Sequence, residues 1–266
     1  MVRVTTTNRR DVLRASAVLV AGGALAAGCG TGQDAPAAAS ASAGSAPASG
    51  HPATTPRTAP APRAYPGQPA QITHGPRTRP QVALTFHGQG DPALATSLLT
   101  AAERGGARLT VLAVGTWLDE HPGLARRILD GGHDLGNHTQ RHISINAMSE
   151  AGARGEITGC AERLRRLTGS IGTWFRPSRS PTASPLVARL ARAAGYPHVL
   201  SYDVDSLDYT RPGADAVTRK VLAEARAGSV VSLHFGYPDT VAALPAVLHE
   251  LGRRGLRAVT TTELLS

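Results

Sequence analysis

Two periods of apolar spacing alternate along residues 81–266. Short apolar runs predict strands at 82–86, 109–114, 134–137, 173–175, 199–202, 230–233 and 256–259. Apolar positions three and four residues apart predict helices near 93–104, 121–131, 149–168, 184–194, 214–227 and 240–253. Strands that alternate with helices form parallel sheets. The pattern therefore predicts the α/β class, as a distorted (β/α) barrel of about seven parallel strands.

The residues before this domain follow a different pattern. Residues 30–80 are dominated by Ala, Pro, Ser, Gly and Thr, and they are predicted to form a disordered linker. The folded domain is therefore expected to span 81–266. No Gly-x-Gly-x-x-Gly follows the first predicted strand, which argues against a dinucleotide-binding fold.

Residues 1–29 have the order of an export signal. Arg9 and Arg10 precede an apolar stretch at 15–28, which is shorter than the ~20 residues of a membrane-spanning helix. The arginine pair indicates the twin-arginine route. The stretch ends in LAAGC, which resembles a bacterial lipobox with Cys29 as the lipidated residue. We expect an exported protein on the outer face of the cytoplasmic membrane, held by a lipid anchor. Ordinary cleavage after a small residue would give a secreted protein instead.

The charge of the chain lies mostly outside the predicted domain. Of the formal net charge of +9, residues 1–80 contribute +6 from eight arginines and two aspartates. The predicted domain contributes +3, and its basic residues form no stripe with interleaved aromatics. Nucleic acid is therefore not an expected partner, and the sequence predicts no protein partner.

Polar side chains with catalytic potential follow five of the predicted strands. They are His87, the pair His138 and His142, Arg176, the group Asp203, Asp205 and Asp208, and His234. In a parallel barrel the C-terminal ends of the strands meet on one face, where active sites are built. Each residue alone also fits an ordinary role, such as a hydrogen-bonded histidine or a helix-capping aspartate. Together they predict a functional site on that face.

His138 and His142 are candidate metal ligands. They stand four residues apart in GNHTQRH, and on a helical turn their Cβ atoms would lie ~5–6 Å apart. Both imidazoles could then bind one ion at ~2.1 Å. A site built from histidines without thiolates suits zinc or a similar divalent ion. The alternative interpretation is a polar loop that happens to be rich in histidine.

Four motifs in chain order resemble those of the polysaccharide deacetylases (NodB-homology domain, carbohydrate esterase family four). HTQRH at 138–142 resembles the family's His-Ser/Thr-x-x-His, and FRPS at 175–178 resembles its Arg-Pro-Pro motif. DVDSLDY at 203–209 resembles Asp-x-x-Asp-Trp, and VVSLHFG at 230–236 resembles the Leu-x-His region. The resemblance implies a distorted barrel that removes N-acetyl groups from a polysaccharide such as peptidoglycan or a chitin-like glycan.

The resemblance also implies roles for the matching residues. His138 and His142 would bind the metal. His234 would be the general acid that protonates the departing amine, with Asp208 orienting it. Arg176 would border the groove and pair with a carboxylate there. The substrate contacts would be Leu233, against the acetyl methyl group, and Tyr209, which stands where the motif has Trp.

The first motif departs from the family. The family has Thr-Phe-Asp-Asp-Gly, with one Asp as base and the other as metal ligand, whereas residues 85–91 here are TFHGQGD. We expect His87 to join His138 and His142 as a third ligand, and Gly88 to leave room beside it. Asp205 or Asp91 would then have to accept the proton of the attacking water. The alternative is that His87 hydrogen-bonds in an inactive site.

Two functions are compatible with these residues. The first is a metal-dependent hydrolase that removes N-acetyl groups from an envelope or extracellular polysaccharide. The second is a catalytically inactive, deacetylase-like lipoprotein that binds glycans. The loss of both motif-one aspartates favours the second function. The presence of His138, His142, Asp208 and His234 favours the enzyme.

Overall fold

The computed structural model of the protein describes residues 58–266. Its strands are β1 (Gln71–Ile72), β2 (Gln81–Gly88), β3 (Thr110–Ala113), β4 (Asp134–Asn137), β5 (Val199–Leu200), β6 (Val204–Asp205), β7 (Val230–His234) and β8 (Arg257–Val259). Its helices are α1 (Pro92–Arg104), α2 (Gly115–Glu120), α3 (Gly123–Asp130), α4 (Glu150–Thr168), α5 (Pro185–Ala193), α6 (Ala214–Glu224), α7 (Pro238–Arg253) and α8 (Thr261–Leu265). None of the helices in residues 58–266 is both long and apolar enough to cross a membrane.

Every strand pairing in the sheets is parallel, as the alternation of elements predicts. The main sheet has the order β4-β3-β2-β7-β6, with β8 also paired to β2. Strands β1 and β5 form a second sheet. Isolated bridges join Phe175 to both Asn137 and Val199, and so continue the curve from β4 to β5. The predicted α/β class and distorted barrel are confirmed.

β2 is the central strand of the domain, and all eight of its residues are buried. Neighbours on both sides cover an interior parallel strand, so that even its polar residues Gln81, Thr85 and His87 are buried. Its register with β7 pairs Thr85 with Ser232 and His87 with His234. Because both strands end here, β2 and β7 place these side chains together at the C-terminal face of the barrel.

The crossover helices begin and end where the sequence supplies capping residues. The side chain of Asp91 accepts from the backbone N of Ala93 at the start of α1, and proline occupies the first turn. Ser149 caps α4 in the same way, and Gly169, with φ of 78°, ends that helix. These caps fix where each helix leaves its strand.

Several elements of the structure differ from the predicted ones. Residues 173–175 do not form a regular strand and contribute only the bridges of Phe175. α2 and α8 were not predicted from the apolar spacing, because helices of six and five residues carry too few turns to show a period.

The predicted linker at 30–80 is wrong for its described part, and the folded unit begins before residue 81. Ile72 is fully buried in β1, and the ring of Tyr65 stacks on that of Trp174 with centroids 5.3 Å apart. The backbone N of Ala59 donates to the carbonyl of Thr168. Isolated apolar residues anchor this stretch even though its average composition is that of a linker. Residues 30–57 lie outside the described residues, as do Arg9, Arg10 and Cys29 of the predicted export signal.

Candidate metal centre

A cleft of about 520 Å³ opens at the C-terminal face of the barrel. Its lining includes five of the side chains that the sequence predicted for the site, namely His87, His142, Asp205, Tyr209 and His234. Of these, Tyr209 is 46% exposed. Gln89, Arg179, Ser180, Pro181, Tyr202 and Tyr237 complete the lining. The convergence of strand ends thus brings the candidate residues into one cleft.

The loop after β4 carries His138 and His142, and it is not the helical turn that the spacing suggested. Thr139 and His142 have positive φ values of 69° and 54°, which are uncommon outside glycine. The side chain of Asn137 accepts from the backbone N of Thr139 at 2.8 Å. These left-handed residues turn the loop so that the rings of His138 and His142 lie with centroids 4.8 Å apart.

A buried carboxylate holds the same loop from the side of α4. Glu156 accepts hydrogen bonds from the backbone N of Arg141 at 2.8 Å and from its Nε at 2.7 Å. Its side chain is 1% exposed, whereas that of Arg141 is 62% exposed. A carboxylate bonded to the backbone fixes a conformation that the loop residues would not favour alone. Its position in the amphipathic pattern of α4 gave no signal of this role.

His87, His138 and His142 form a cluster of three potential metal ligands, with one nitrogen of each ring within 4.8 Å of the others. His87 Nδ1 lies 2.8 Å from His138 Nε2. The predicted grouping of these three histidines is therefore present in the structure.

The histidines of the cluster are held in the neutral form that metal binding requires. Burial, reinforced by the charges of the neighbouring histidines and of Arg176, lowers the pKa of His87 well below its usual range. Burial and His142 do the same to the pKa of His138. Burial and Arg179 lower the pKa of His142 to about 4. Neutral imidazoles offer their lone pairs at ordinary pH.

A divalent ion suits this donor set. Two nitrogens bound to a tetrahedral ion at ~2.1 Å lie ~3.4 Å apart. That value falls between the 2.8 Å that separates His87 Nδ1 from His138 Nε2 and the 4.8 Å limit of the whole cluster. Small side-chain adjustments would bring the nitrogens to ligand spacing.

A histidine–aspartate pair faces the cluster from β7. Asp208, which is fully buried, accepts from His234 Nδ1 at 2.6 Å and from the backbone N of His234 at 2.8 Å. Thr240 Oγ1 donates to the same carboxylate at 2.7 Å. The ring of His234 stacks on that of His87 with centroids 4.2 Å apart. This arrangement orients His234 and leaves its Nε2 for the cleft.

Comparison with known proteins identifies the family. The family model described as polysaccharide deacetylase matches residues 74–199. A peptidoglycan-N-acetylglucosamine deacetylase from Bacillus cereus is 31% identical over 194 residues, which cover 71% of this chain and 90% of that protein. The chain belongs to the polysaccharide deacetylase family.

Two solved structures share the fold. The Bc1960 peptidoglycan N-acetylglucosamine deacetylase is similar with a TM-score of 0.69 and 26% identity, covering 73% of this chain and 92% of that chain. A structure described as a CE4 family pseudoenzyme from Bacillus anthracis has a TM-score of 0.70 at 24% identity, covering 75% of this chain and 70% of that one. At that identity the second likeness concerns the fold alone.

Two positions differ from what the polysaccharide deacetylase motifs led us to expect. Gly88 does not leave room beside His87, because a Cβ there would lie 2.9 Å from Val111 Cγ1 and 3.1 Å from the Cα of Ala113. Leu233 is 3% exposed and packs in the hydrophobic core. Alternation along β7 turns it away from His234, so it is not placed to contact an acetyl group.

Arg176 also differs from its expected place. It is fully buried and does not border the groove. Its Nη2 donates to Thr85 Oγ1 at 2.8 Å and to the carbonyl of Ser201 at 3.0 Å, and its Nε donates to the carbonyl of Leu200. Within residues 58–266 it forms no ion pair with a carboxylate, and His87 lies 3.4 Å from its Nη1. Burial lowers its pKa to about 10.

The two aspartates considered as bases are placed differently. Asp91 caps α1 through its bond to the backbone N of Ala93 and does not line the cleft. Asp205 lines the cleft and is its only carboxylate among the described residues. Its register with Ser232 puts it on the same face of the sheet as His87.

Ser232 is a site residue that the sequence reasoning missed. In the Leu-x-His motif the leucine stands two residues before the histidine, and that position here is Ser232. Its Oγ lies 3.0 Å from His87 Nε2. The sequence did carry a signal for this role, because Ser232 in place of leucine is a second departure from the family's motifs, after His87.

Proposed function

We propose that this polysaccharide deacetylase hydrolyses N-acetyl groups of an envelope polysaccharide at a divalent metal, zinc by preference, held by His87, His138 and His142. A single observation carries the proposal. A cluster of three neutral histidines and an aspartate-oriented fourth histidine share one open cleft. A site that only binds glycan needs neither group.

The position of each residue in the cleft suggests its role in the reaction. A bound divalent ion would polarise the acetamide carbonyl and raise the acidity of an attacking water. Asp205, as the cleft's carboxylate, would accept the proton of that water. His234, oriented by Asp208, would give a proton from Nε2 to the departing amine. Tyr209, whose ring centroid lies 5.4 Å from that of His234, would offer an apolar face to a sugar ring.

The sequence supports a proposal for the place of action. The arginine pair, the short apolar stretch and Cys29 support export by the twin-arginine route and lipid anchoring. An anchored enzyme at the outer face of the membrane would meet peptidoglycan or another N-acetylated glycan of the envelope. The relative from Bacillus cereus, named as a peptidoglycan-N-acetylglucosamine deacetylase, supports that substrate class.

One specific observation favours an inactive glycan-binding protein instead. The first motif lacks both of the family's aspartates, and His87, which stands in the place of one of them, forms a hydrogen bond with His138. The two functions differ in turnover and not in glycan binding.

The deciding experiment measures acetate release from N-acetylated peptidoglycan fragments and from chitooligosaccharides. We expect the zinc-loaded protein to release acetate, a chelator to abolish release, and added zinc to restore it. His234→Ala should lower kcat by about 10²-fold or more, since it removes the general acid. His249→Ala, at an exposed histidine outside the cleft, is the matched control. Glycan binding without acetate release from either substrate would establish the inactive alternative.

A further inference from the structure

Both ring nitrogens of His87 are engaged within the protein. Nδ1 lies 2.8 Å from His138 Nε2. Nε2 lies 3.0 Å from Ser232 Oγ and 3.4 Å from Arg176 Nη1. Ser232 and Arg176 are fully buried and His87 is nearly so, so water has little access to complete or replace these contacts. The proton positions are therefore set by the neighbours.

The neighbours assign one tautomer to the protein without an ion. His138 Nδ1 lies 3.0 Å from the carbonyl oxygen of Arg176, which can only accept, so His138 carries its proton on Nδ1. His138 Nε2 then has a lone pair and can only accept, so His87 must donate to it from Nδ1. His87 Nε2 is left as an acceptor, for the hydroxyl of Ser232 and the guanidinium of Arg176. Every group in this network is satisfied.

The same network is incompatible with metal binding through His87 Nδ1. A ligand nitrogen needs its lone pair. To bind the ion, His87 must therefore lose the proton on Nδ1 and gain one on Nε2, so that the ring stays neutral. A proton at Nε2 then faces two neighbours. Arg176 has no acceptor atom, whereas the hydroxyl of Ser232 can either donate or accept. Of these two, only Ser232 can stabilise the metal-binding tautomer.

Resting on the three-histidine site proposed above, we propose that Ser232 is a positioning residue that holds His87 in its metal-binding tautomer. The leucine of the family motif could not accept a hydrogen bond at this position. The two departures from the motif, His87 for aspartate and Ser232 for leucine, therefore function as a pair. Arg176 acts in the opposite direction, since it donates to the tautomer that cannot bind the ion.

The test compares zinc affinity among variants by competition with a chromophoric chelator. Ser232→Ala should weaken zinc binding by about 10–100-fold, the usual effect of losing a group that orients a metal ligand. Ser232→Thr keeps a hydroxyl and should recover most of the affinity. Ser229→Ala removes another fully buried hydroxyl, one that bonds Arg77 and Asp203, and should leave zinc affinity unchanged.

A second readout follows the tautomer directly. In ¹⁵N-labelled protein, His87 should carry its proton on Nδ1 without metal and on Nε2 with zinc. Ser232→Ala should keep the metal-free tautomer, because Arg176 still donates to Nε2. A metal-free His87 that already carries its proton on Nε2 would overturn the proposal.

The outcomes separate the two proposals. If His87→Ala binds zinc more weakly than wild type but Ser232→Ala does not, then Ser232 has no positioning role and the three-histidine site stands. If His87→Ala binds zinc as tightly as wild type, the three-histidine site is wrong, and the role of Ser232 fails with it.

Discussion

Restoring a carboxylate at position 88 should not restore the family's metal site, because the structure has no space for a side chain there. In the parallel register of β2 and β3, Gly88 lies beside Ala113. An added Cβ would lie 2.9 Å from Val111 Cγ1, 3.1 Å from the Cα of Ala113 and 3.3 Å from the carbonyl of Leu112. Two of these three atoms belong to the backbone, so a side-chain rotation cannot relieve the contact.

The cost of the added atoms can be placed on a scale. Inserting atoms into a packed core costs roughly 1–3 kcal/mol, so we expect Gly88→Ala to lower the free energy of unfolding by about 2 kcal/mol. For a domain of this size that change corresponds to a fall in Tm of about 4–8 °C. The Tm of Gly88→Asp should fall at least as far, since this variant also buries a carboxylate. Gly88→Asp should gain no zinc affinity.

Thermal unfolding of the metal-free protein, with zinc titration of each variant, is the assay. Gly155→Ala is the control, because Gly155 is exposed in α4 with no atom within 4 Å of its added Cβ. In a helix interior this change should stabilise by about 0.5–1 kcal/mol. If Gly88→Ala unfolded at the wild-type temperature, position 88 would have space for a side chain after all. The same holds if Gly88→Asp bound zinc more tightly than wild type.

Three further predictions address the acid, the histidine cluster and the anchor. The amide in Asp208→Asn cannot accept from all three donors supplied by His234 and Thr240. We therefore expect kcat to fall by about 10²-fold or more with little change in KM. An unchanged kcat would contradict the role of the His234–Asp208 pair. Because burial lowers the pKa of His142 to about 4, the metal-free folded chain holds fewer protons than the unfolded chain between that pH and about 6.5. Its free energy of unfolding, measured in urea, should therefore decrease as the pH falls through this window. The decrease should be less steep in His142→Ala. Equal slopes in the two proteins would contradict the lowered pKa of His142. Cys29→Ser should release the protein into the medium, and a variant that stays in the membrane fraction would show that Cys29 is not the anchor.

The sequence predicted the barrel because long periodic segments dominate its core. The limits of β4 match the predicted 134–137, and α4 and α7 begin and end within two residues of their predicted limits. The segment at 58–80 was missed because Tyr65 and Ile72 are isolated among small residues and prolines. Their partners, such as Trp174, are more than a hundred positions away in the chain. Local composition does not carry that information.

The site could be predicted as a set of residues but not as a geometry. Strand ends located the histidines, because the C-terminal ends of parallel strands share a face. The left-handed conformations of Thr139 and His142 depend on hydrogen bonds that the loop backbone donates to the side chains of Asn137 and Glu156, which propensity does not report. The orientation of Leu233 depends on the pleat of β7, where a shift of one residue changes the face.

X-ray absorption spectroscopy of the zinc-loaded protein tests the central claim most directly, because it counts the imidazoles bound to the metal. We predict three imidazole nitrogens at ~2.0–2.1 Å in the wild-type protein and two in His87→Ala. Two imidazoles in both proteins would contradict the three-histidine site.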